Sequence, residues 1–272
     1  MKRILIAALL LVPVLSFAQK PGDWLELPRM SRQERKEAYT LEMTVSGVRQ
    51  RNYTFLWNEE HMTADWVAYP LCASNIGEGR RTDDFGLCPL LPEKRQPVVI
   101  RGYREGSAGW YSRGHQIPSA DRLSYNANLQ TFYGVNMTPQ DENLNGGVWA
   151  TLENKVRTWA RQCDTLYVVS GCTYDGYGGD YVLDNVGKKV AVPTGYYKAL
   201  LMRKGDTYHA CAFTFENRPY SSGKISSSMA IPVTSLEART GLVFFPGLKD
   251  LVGKDRYVRI KSEVPSTQSC WR

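Results

Sequence analysis

An arginine, a glycine and a histidine follow one another at positions 113 to 115, inside the polar segment WYSRGHQIPSADR. His115 is one of only three histidines in the chain, and the pattern around it predicts a loop. A histidine side chain titrates near neutral pH and can take a proton from water, and a guanidinium beside it suits phosphate oxygens. A lone histidine more often packs or lies in solvent. Its chemistry therefore depends on what the rest of the chain supplies.

The next residues that could do chemistry are Asn136, Asn145 and Glu153, in VNMTPQDENLNGGVWATLE. Amide and carboxylate oxygens favour a hard cation such as Mg²⁺ over zinc. Along a regular helix Glu153 would lie about 12 Å beyond Asn145, and helical side chains lean back towards the N-terminus. We therefore expect Asn145 to bind the ion directly and Glu153 to hold a metal-bound water.

Each of these residues also has an ordinary structural explanation. Asn145 precedes a predicted helix and could cap its N-terminus. Glu153 could be a solvated charge on the helix surface, and Arg113 could belong to a surface ion pair. It is the combination of these residues, in this order and spacing, that favours a functional site.

Three segments, SRGHQIP, NMTPQ and LNGGVWATLE, resemble the successive motifs of the DNA/RNA non-specific endonucleases, a family of ββα-metal nucleases, in order and in spacing. The resemblance is sharpest over residues 110–172 and looser over 39–109 and 190–247. It implies a non-specific endonuclease that hydrolyses DNA and RNA to 5′-phosphate ends. The implied cofactor is one hydrated Mg²⁺, with Mn²⁺ as the alternative ion.

The resemblance also implies a role for each matching residue. His115 matches the general base that activates water, and Arg113 matches the motif arginine, which suits phosphate oxygens. Asn145 matches the sole protein ligand of the ion, which stabilises charge on the departing 3′ oxygen. Glu153 matches the residue that orients metal-bound water, and Asn136 matches a position that supports this geometry.

Two points of the family pattern are less direct. A second family arginine, upstream of the motif, would fall at Arg80 or Arg81, with Arg81 slightly favoured. Ser112 stands where the family motif usually has Asp, which predicts an altered rate and pH optimum rather than loss of activity. Two other functions stay open: a phosphodiesterase acting on nucleotides or other small diesters, and a catalytically inactive relative that binds nucleic acid.

Several stretches of the chain have the apolar patterns of strands. Residues 39–57 alternate as two strands around a Ser-Gly turn, and 64–72 predict another strand. Residues 76–97 are rich in glycine, proline and charge and predict a long loop. Further strands are predicted at 164–172, 188–202 and 207–217.

A helix is predicted where apolar residues recur every three or four positions, at Val148, Leu152, Val156 and Trp159. Asn145-Gly146-Gly147 would form its start. The tail, 235–248, predicts a short helix followed by a packed aromatic pair, Phe244 and Phe245. Strands thus precede and follow a central helix, so the fold class is α+β with a mainly antiparallel sheet. The family resemblance adds a ββα-metal finger at the active site.

The first residues predict export. Lys2 and Arg3 precede an apolar stretch with small residues at 16 and 18, the pattern of a secretory leader over 1–18. We expect one domain over 19–272, in the periplasm or outside the cell, with no membrane anchor. The net charge of +7, from 34 basic and 27 acidic residues, permits DNA and RNA as partners without proving them.

Six cysteines in an exported chain predict disulfides. Pairs of Cys72 with Cys88 and of Cys163 with Cys172 would close short local loops. The rival interpretation is a zinc site, although the spacings match no zinc knuckle or ribbon. Its ligands would be Cys163, Cys172, His209 and Cys211.

Overall fold

The computed structural model describes residues 24–271, so the predicted leader at 1–18 lies outside the described residues. The strands of this range are β1 (Ala38–Val45), β2 (Val48–Asn58), β3 (Thr63–Leu71), β4 (Ser112–His115), β5 (Met137–Gln140), β6 (Thr165–Thr173), β7 (Tyr181–Leu183), β8 (Lys189–Ala191), β9 (Gly195–Lys204) and β10 (Thr207–Glu216). The α-helices are α1 (Ala73–Ile76), α2 (Tyr125–Thr131), α3 (Glu142–Leu144), α4 (Ala150–Ala160), α5 (Val233–Thr240), α6 (Leu248–Val252) and α7 (Lys254–Ser262), with a π turn at Asn145–Trp149 between α3 and α4.

The main sheet has six strands in the order β1-β2-β3-β6-β9-β10, and every neighbouring pair is antiparallel. The hairpin between β1 and β2 turns at Ser46 and Gly47, whose φ angles are 50° and 80°. Positive φ at both central residues matches the right-handed twist of the flanking strands. The predicted strand pair, its turn and the α+β class are confirmed.

Side chains alternate between the two faces of this sheet, as the pleat of a strand requires. Phe55, Tyr69 and Val168 point to the face covered by α4. Leu56 and Val169, one position along from two of these, point to the opposite face. That second face is covered by the C-terminal helices, where Phe244 and Phe245 are fully buried as predicted from the sequence.

The predicted apolar face of the central helix is confirmed, because Val148, Leu152, Val156 and Trp159 are all buried. Trp159 stacks on Phe213 of β10 at 6.2 Å between ring centroids. Burying each large apolar side chain contributes about 1.5–3 kcal/mol. The helix is therefore fixed firmly to the sheet, and its other side is free to present functional groups.

The six cysteines are free thiols in the structure, so the predicted disulfides are not formed. Cys72 is one of the groups that raise the pKa of Cys163, after burial and Asp164, and Cys270 raises the pKa of Cys211 after burial. Proximity in sequence was therefore a poor guide, because β3 and β6 bring distant cysteines together. Within residues 24–271 no cluster of three or more His, Cys, Asp or Glu side chains has the arrangement of a metal site, including the zinc ligands considered above.

In the part of the chain that the structure describes, every helix is too short or too polar to span a bilayer.

Candidate active site

The site is built on a two-stranded finger, in which β4 pairs antiparallel with β5. His115 is the last residue of β4 and lies opposite Met137, while Ser112 begins the strand opposite Gln140. The prediction of a loop around His115 was wrong. A strand of four residues whose side chains face a site rather than the core has no apolar alternation to reveal it.

The finger depends on Gly114 between Arg113 and His115. A Cβ at this position would lie 2.6 Å from the Cβ of Gln140 and closer still to its Oε1. No side chain fits in that space, so only glycine lets the two strands approach this closely. The motif glycine therefore sets the position of both of its neighbours.

The His115 ring is partly buried, and its Nε2 has no hydrogen-bond partner among residues 24–271. The ring packs edge-on against Phe132 at 5.1 Å between centroids. Burial, together with the positive charges of Arg81 and Arg113, lowers the pKa of His115 to about 3, while a hydrogen bond with the Arg113 backbone acts in the opposite sense. The ring is therefore neutral at physiological pH. Because Nε2 has no partner, Nδ1 makes the backbone bond and Nε2 keeps a free lone pair.

Arg113 is held in place by the backbone rather than by an acid. Its Nη1 donates hydrogen bonds to the carbonyl oxygens of Val99 and Ile100 at 2.9 and 2.8 Å. The guanidinium lies 3.5 Å above the centroid of the Phe85 ring. Burial lowers the pKa of Arg113. The side chain is thus a preoriented cation beside His115, which makes the surface ion-pair explanation wrong.

The two candidate arginines upstream are placed differently. Arg81 donates to the Ser119 hydroxyl at 3.1 Å and forms an ion pair with Asp83. Its charge lowers the pKa of both His115 and Glu153, so it lies near both. Arg80 is exposed on the surface beyond Arg81. The structure therefore brings Arg81, and not Arg80, to the other candidate residues.

Asn136 is fully buried and fixes the chain just beyond His115. Its amide nitrogen donates to the carbonyls of Ile117 and Thr131, and its amide oxygen accepts from the Ile117 N–H, all between 2.8 and 2.9 Å. Its own carbonyl accepts from the Gln116 N–H at 3.0 Å. These bonds give Asn136 a positioning function towards the end of β4.

Asn145 lies at the junction of α3 and the π turn. The N-cap is Asp141, whose side chain accepts from the N–H groups of Asn143 and Leu144. The helical segment therefore starts before the predicted Asn-Gly-Gly start, and the capping explanation for Asn145 is wrong. Gly147 departs from helical geometry, at φ −102° and ψ −112°, so the spacing expected for a regular helix does not apply. Turns of this kind occur frequently at functional sites.

Glu153 is partly buried and carries a perturbed carboxyl group. Burial is the main cause that raises its pKa to about 7, and Asp121 raises it further. Lys198, Arg157 and Arg81 act in the opposite direction, in that order. A carboxylate with these neighbours is not a solvated helix-surface charge, and such perturbation is typical of functional sites.

Lys198 is a residue of this site that the sequence reasoning missed. It is fully buried in β9, with its Nζ 3.1 Å from the Ser170 hydroxyl and 3.3 Å from the Gln116 carbonyl. Burial lowers the pKa of Lys198, while the negative charges of Glu153 and Asp121 raise it. The signal was a lysine inside the apolar run GYYKALLM, where a charge needs a partner.

Asp121 and Arg157 form a second missed pair. Asp121 is fully buried and accepts from Arg157 Nη1 and from the Tyr69 hydroxyl, both at 2.9 Å. Arg157 lies one turn beyond Glu153 on α4, so the pair ties this helix to the segment that follows β4. It holds the segment after His115 and the Glu153 turn of α4 in one arrangement.

The donor set at this site fits a hard divalent cation. Asn145 and Glu153 offer amide and carboxylate oxygens, which such ions accept as ligands, and the side chain of Asn145 is not used as a cap.

Comparison with known proteins gives a consistent result. The family model for DNA/RNA non-specific endonucleases matches residues 34–251. The mitochondrial nuclease EXOG of Danio rerio is 34% identical over 222 residues, covering 75% of this chain and 63% of that protein. A nuclease of Serratia marcescens is 30% identical over 203 residues, covering 73% of this chain and 74% of that protein. The chain spans less than two thirds of the mitochondrial relatives of Danio rerio and Xenopus laevis, at 63% and 65%.

A solved structure shares the fold. The crystal structure of an EndoG/EndoGI complex, described as showing the mechanism of EndoG inhibition, aligns with a TM-score of 0.59 at 25% sequence identity. The alignment covers 76% of this chain and 86% of that chain. The similarity therefore extends beyond the finger to the sheet that supports it.

Proposed function

Because the chain belongs to the DNA/RNA non-specific endonuclease family, we propose that it is a metal-dependent endonuclease that hydrolyses phosphodiester bonds of both DNA and RNA. The observation that carries the proposal is His115 at the tip of the β4–β5 finger. Its Nε2 has a free lone pair, and the charges of Arg81 and Arg113, two side chains suited to phosphate oxygens, act on the ring. The products would be a 5′-phosphate and a 3′-hydroxyl.

His115 acts as the general base in this proposal. Its Nε2 takes a proton from the water whose oxygen attacks phosphorus. The bond between phosphorus and the 3′ oxygen breaks, and the departing oxygen takes up a proton from solvent water to become the 3′-hydroxyl. In the free protein, burial and then the charges of the two arginines hold the pKa of the ring low. A bound phosphate brings negative charge beside them, which raises the pKa of His115 towards the range in which it can accept that proton.

The other residues bind and orient. Arg81 and Arg113 hold the oxygens of the scissile phosphate, and Asn136 keeps the base in position. Asn145 would hold Mg²⁺, with Mn²⁺ as the alternative ion, and Glu153 would orient its waters. When bound, the ion neutralises charge on the phosphate and on the departing 3′ oxygen.

The decisive test compares cleavage of plasmid DNA and of RNA with and without EDTA. We expect EDTA to abolish cleavage by the wild-type protein and added Mg²⁺ to restore it. His115→Ala should reduce the rate by roughly 10²–10⁴, the usual contribution of a general base. His61→Ala is the matched control, because His61 packs against Tyr174 at 3.9 Å between ring centroids, away from the finger.

Other outcomes would redirect the assignment. Undiminished cleavage by His115→Ala would remove His115 as the base. Rapid hydrolysis of bis(p-nitrophenyl) phosphate without cleavage of polymers would indicate a phosphodiesterase for small diesters. Salt-sensitive DNA binding without cleavage in any divalent ion would indicate an inactive binding protein.

Export to the periplasm or the cell exterior is also part of the proposal. It rests on the leader pattern at 1–18. Relatives include proteins named as mitochondrial, so family membership leaves the compartment open.

A further inference from the structure

A surface pocket of about 330 Å³ adjoins the active site. Arg81 lines the pocket, and its guanidinium lies 4.8 Å from the centroid of the Phe132 ring. The same ring packs edge-on against His115 at 5.1 Å between centroids, so Arg81 and Phe132 connect the pocket to the active site. Arg80 and Tyr125 are further lining residues. A group bound in this pocket would therefore lie next to a phosphate held beside His115.

The walls of the pocket are fixed against each other by close backbone contacts. A Cβ at Gly79, whose φ is +148°, would lie within van der Waals overlap of the Leu123 carbonyl oxygen, at 2.2 Å. The Leu123 N–H donates to the Ile76 carbonyl at 2.6 Å. Gly77, at φ +69°, approaches Ser124 less closely, with a Cβ 3.3 Å from the Ser124 backbone nitrogen. The pocket is thus preformed, and binding there costs little ordering of the protein.

The chemistry of the lining suits a nucleobase. Tyr125 is 67% exposed and lines the pocket, so its ring is accessible to a base. Leu123 adds apolar surface, and Glu78 contributes a carboxylate that can accept from an exocyclic amino group. Arg80 is exposed and has no carboxylate partner among residues 24–271, so its guanidinium is available for a phosphate.

We propose that this pocket receives the nucleobase of the nucleotide that flanks the scissile phosphate. The base stacks on Tyr125, and Arg80 meets the next phosphate along the strand. Stacking tolerates every base because each has a π face, and none of these contacts requires or rejects a 2′-hydroxyl. The subsite would thus accept DNA and RNA alike, provided that the flanking base is unpaired. The inference rests on the proposed nuclease function.

The test crosses a protein variant with a substrate change. The substrate is a short single-stranded oligodeoxynucleotide with phosphorothioate linkages at every position but one, so that only one bond is readily cleaved. The base that flanks this bond is either present or replaced by an abasic residue, on the 5′ or on the 3′ side of the bond. For the wild-type protein, removing the base on one side should raise KM about tenfold, the scale of one lost base-aromatic stack. Tyr125→Ala should raise KM similarly on the intact substrate and show almost no further rise on that abasic one.

Two controls accompany it. Tyr125→Phe should match the wild-type protein, because stacking needs the ring and not the hydroxyl. Trp110→Ala should also keep the wild-type KM, since Trp110 is an exposed aromatic residue, at 56%, that does not line the pocket. A wild-type KM for Tyr125→Ala, or an equal rise on intact and abasic substrates, would overturn the proposal.

Binding measured in EDTA separates this inference from the nuclease assignment. If the wild-type protein cleaves nothing, the nuclease function fails. The subsite is then judged by the dissociation constants of the same oligonucleotides. It stands if base removal and Tyr125→Ala each weaken binding and together weaken it no further, and it fails if the two effects multiply.

Discussion

His115 combines a neutral ring with two positive neighbours. Its folded-state pKa of about 3 lies below the ordinary value of 6.5, so between these values the folded protein binds fewer protons than the unfolded chain. The stability that this group contributes is therefore present above pH 6.5 and is lost as the pH falls towards 3. A base that stays uncharged in the free protein is ready for substrate over the whole neutral range.

We expect histidine-ring NMR to show this directly, because the chain has only three histidines. In metal-free protein, one ring should keep the chemical shifts of neutral imidazole down to about pH 4. The spectrum of His115→Gln should lack that signal and keep the other two. A His115 signal that titrates near pH 6.5 would contradict the proposed electrostatic environment.

Glu153 affects the pH dependence of folding stability in the opposite direction from His115. Its folded-state pKa of about 7 lies above the ordinary 4.5, so its contribution is fully present below pH 4.5 and is lost as the pH rises through 7. Glu153→Gln should thus stabilise the metal-free protein at pH 8, by on the order of 1–3 kcal/mol, and have little effect at pH 4. Nuclease activity should fall in the same variant.

Thermal unfolding in EDTA at the two pH values measures this. The exposed Glu60→Gln is the control and should leave Tm within a degree or so at both. A pH-independent effect of Glu153→Gln would mean that the carboxyl group is not perturbed by burial. Such a result would also weaken the assignment of Glu153 as a functional residue. A buried carboxylate lowers the stability of the folded protein, and a function is the reason to keep one.

At the level of elements, the β4–β5 finger depends on the absence of a side chain at Gly114. Gly114→Ala would force its Cβ against Cβ and Oε1 of Gln140, and relieving that overlap must separate the strands. We expect a loss of stability of about 1–3 kcal/mol and a larger loss of activity, because His115 and Arg113 move with the strand.

Gly178→Ala is the matched substitution, since a Cβ there meets nothing within 4 Å and Gly178 is exposed. Chemical denaturation and plasmid cleavage, run on both variants, give the comparison. Equal stabilities and activities for Gly114→Ala and Gly178→Ala would show that the finger tolerates a side chain at position 114.

The sequence was most informative where burial of one face of an element imposes a regular spacing of apolar residues. Alternation over 39–57 and the three-to-four spacing from Val148 to Trp159 predicted the sheet strands and the faces of α4. It was least informative where elements are short. The finger strands have four residues each, and α7 buries only Tyr257, Ile260 and Lys261, too few to show a period. The start of the helical segment was misplaced because Asp141 was not recognised as its cap.

The same limit applies to the site. Motif residues in a fixed order predicted His115, Arg113, Asn136, Asn145 and Glu153 as candidates. Lys198 could not be linked to them, because β9 reaches Gln116 and Ser170 only through the tertiary fold. The choice of Arg81 over Arg80 likewise required the position of Ser119 in space. Long-range placement is what a linear pattern cannot supply.

At the scale of the whole molecule, the central sheet separates two apolar layers. One lies under the C-terminal helices, and the other lies between the sheet and α4. His115 on the finger and Glu153 on α4 both lie on the side of the sheet that α4 covers. Substrate would therefore approach one face of the molecule, while the C-terminal helices act as its support.

Export of the chain predicts a mature protein of defined mass. If the leader is removed before Gln19, the intact mass of the secreted or periplasmic protein should correspond to residues 19–272. Lys2 and Arg3 would leave with the leader and lower the net charge of +7 by two. Mass spectrometry of the fractionated protein measures this, and a cell-associated chain that retains residues 1–18 would contradict export.

The π turn at Asn145–Trp149 has a consequence for how the site can change. Within it, Gly147 takes φ −102° and ψ −112°, so the chain is kinked between α3 and α4 and does not continue as one helix. Asn145 and Glu153 therefore lie on either side of a corner, and a Cβ at Gly146 or Gly147 would meet nothing within 4 Å. Shortening the glycine pair by one residue would redirect one segment against the other, so the length of this corner sets the separation of the two side chains.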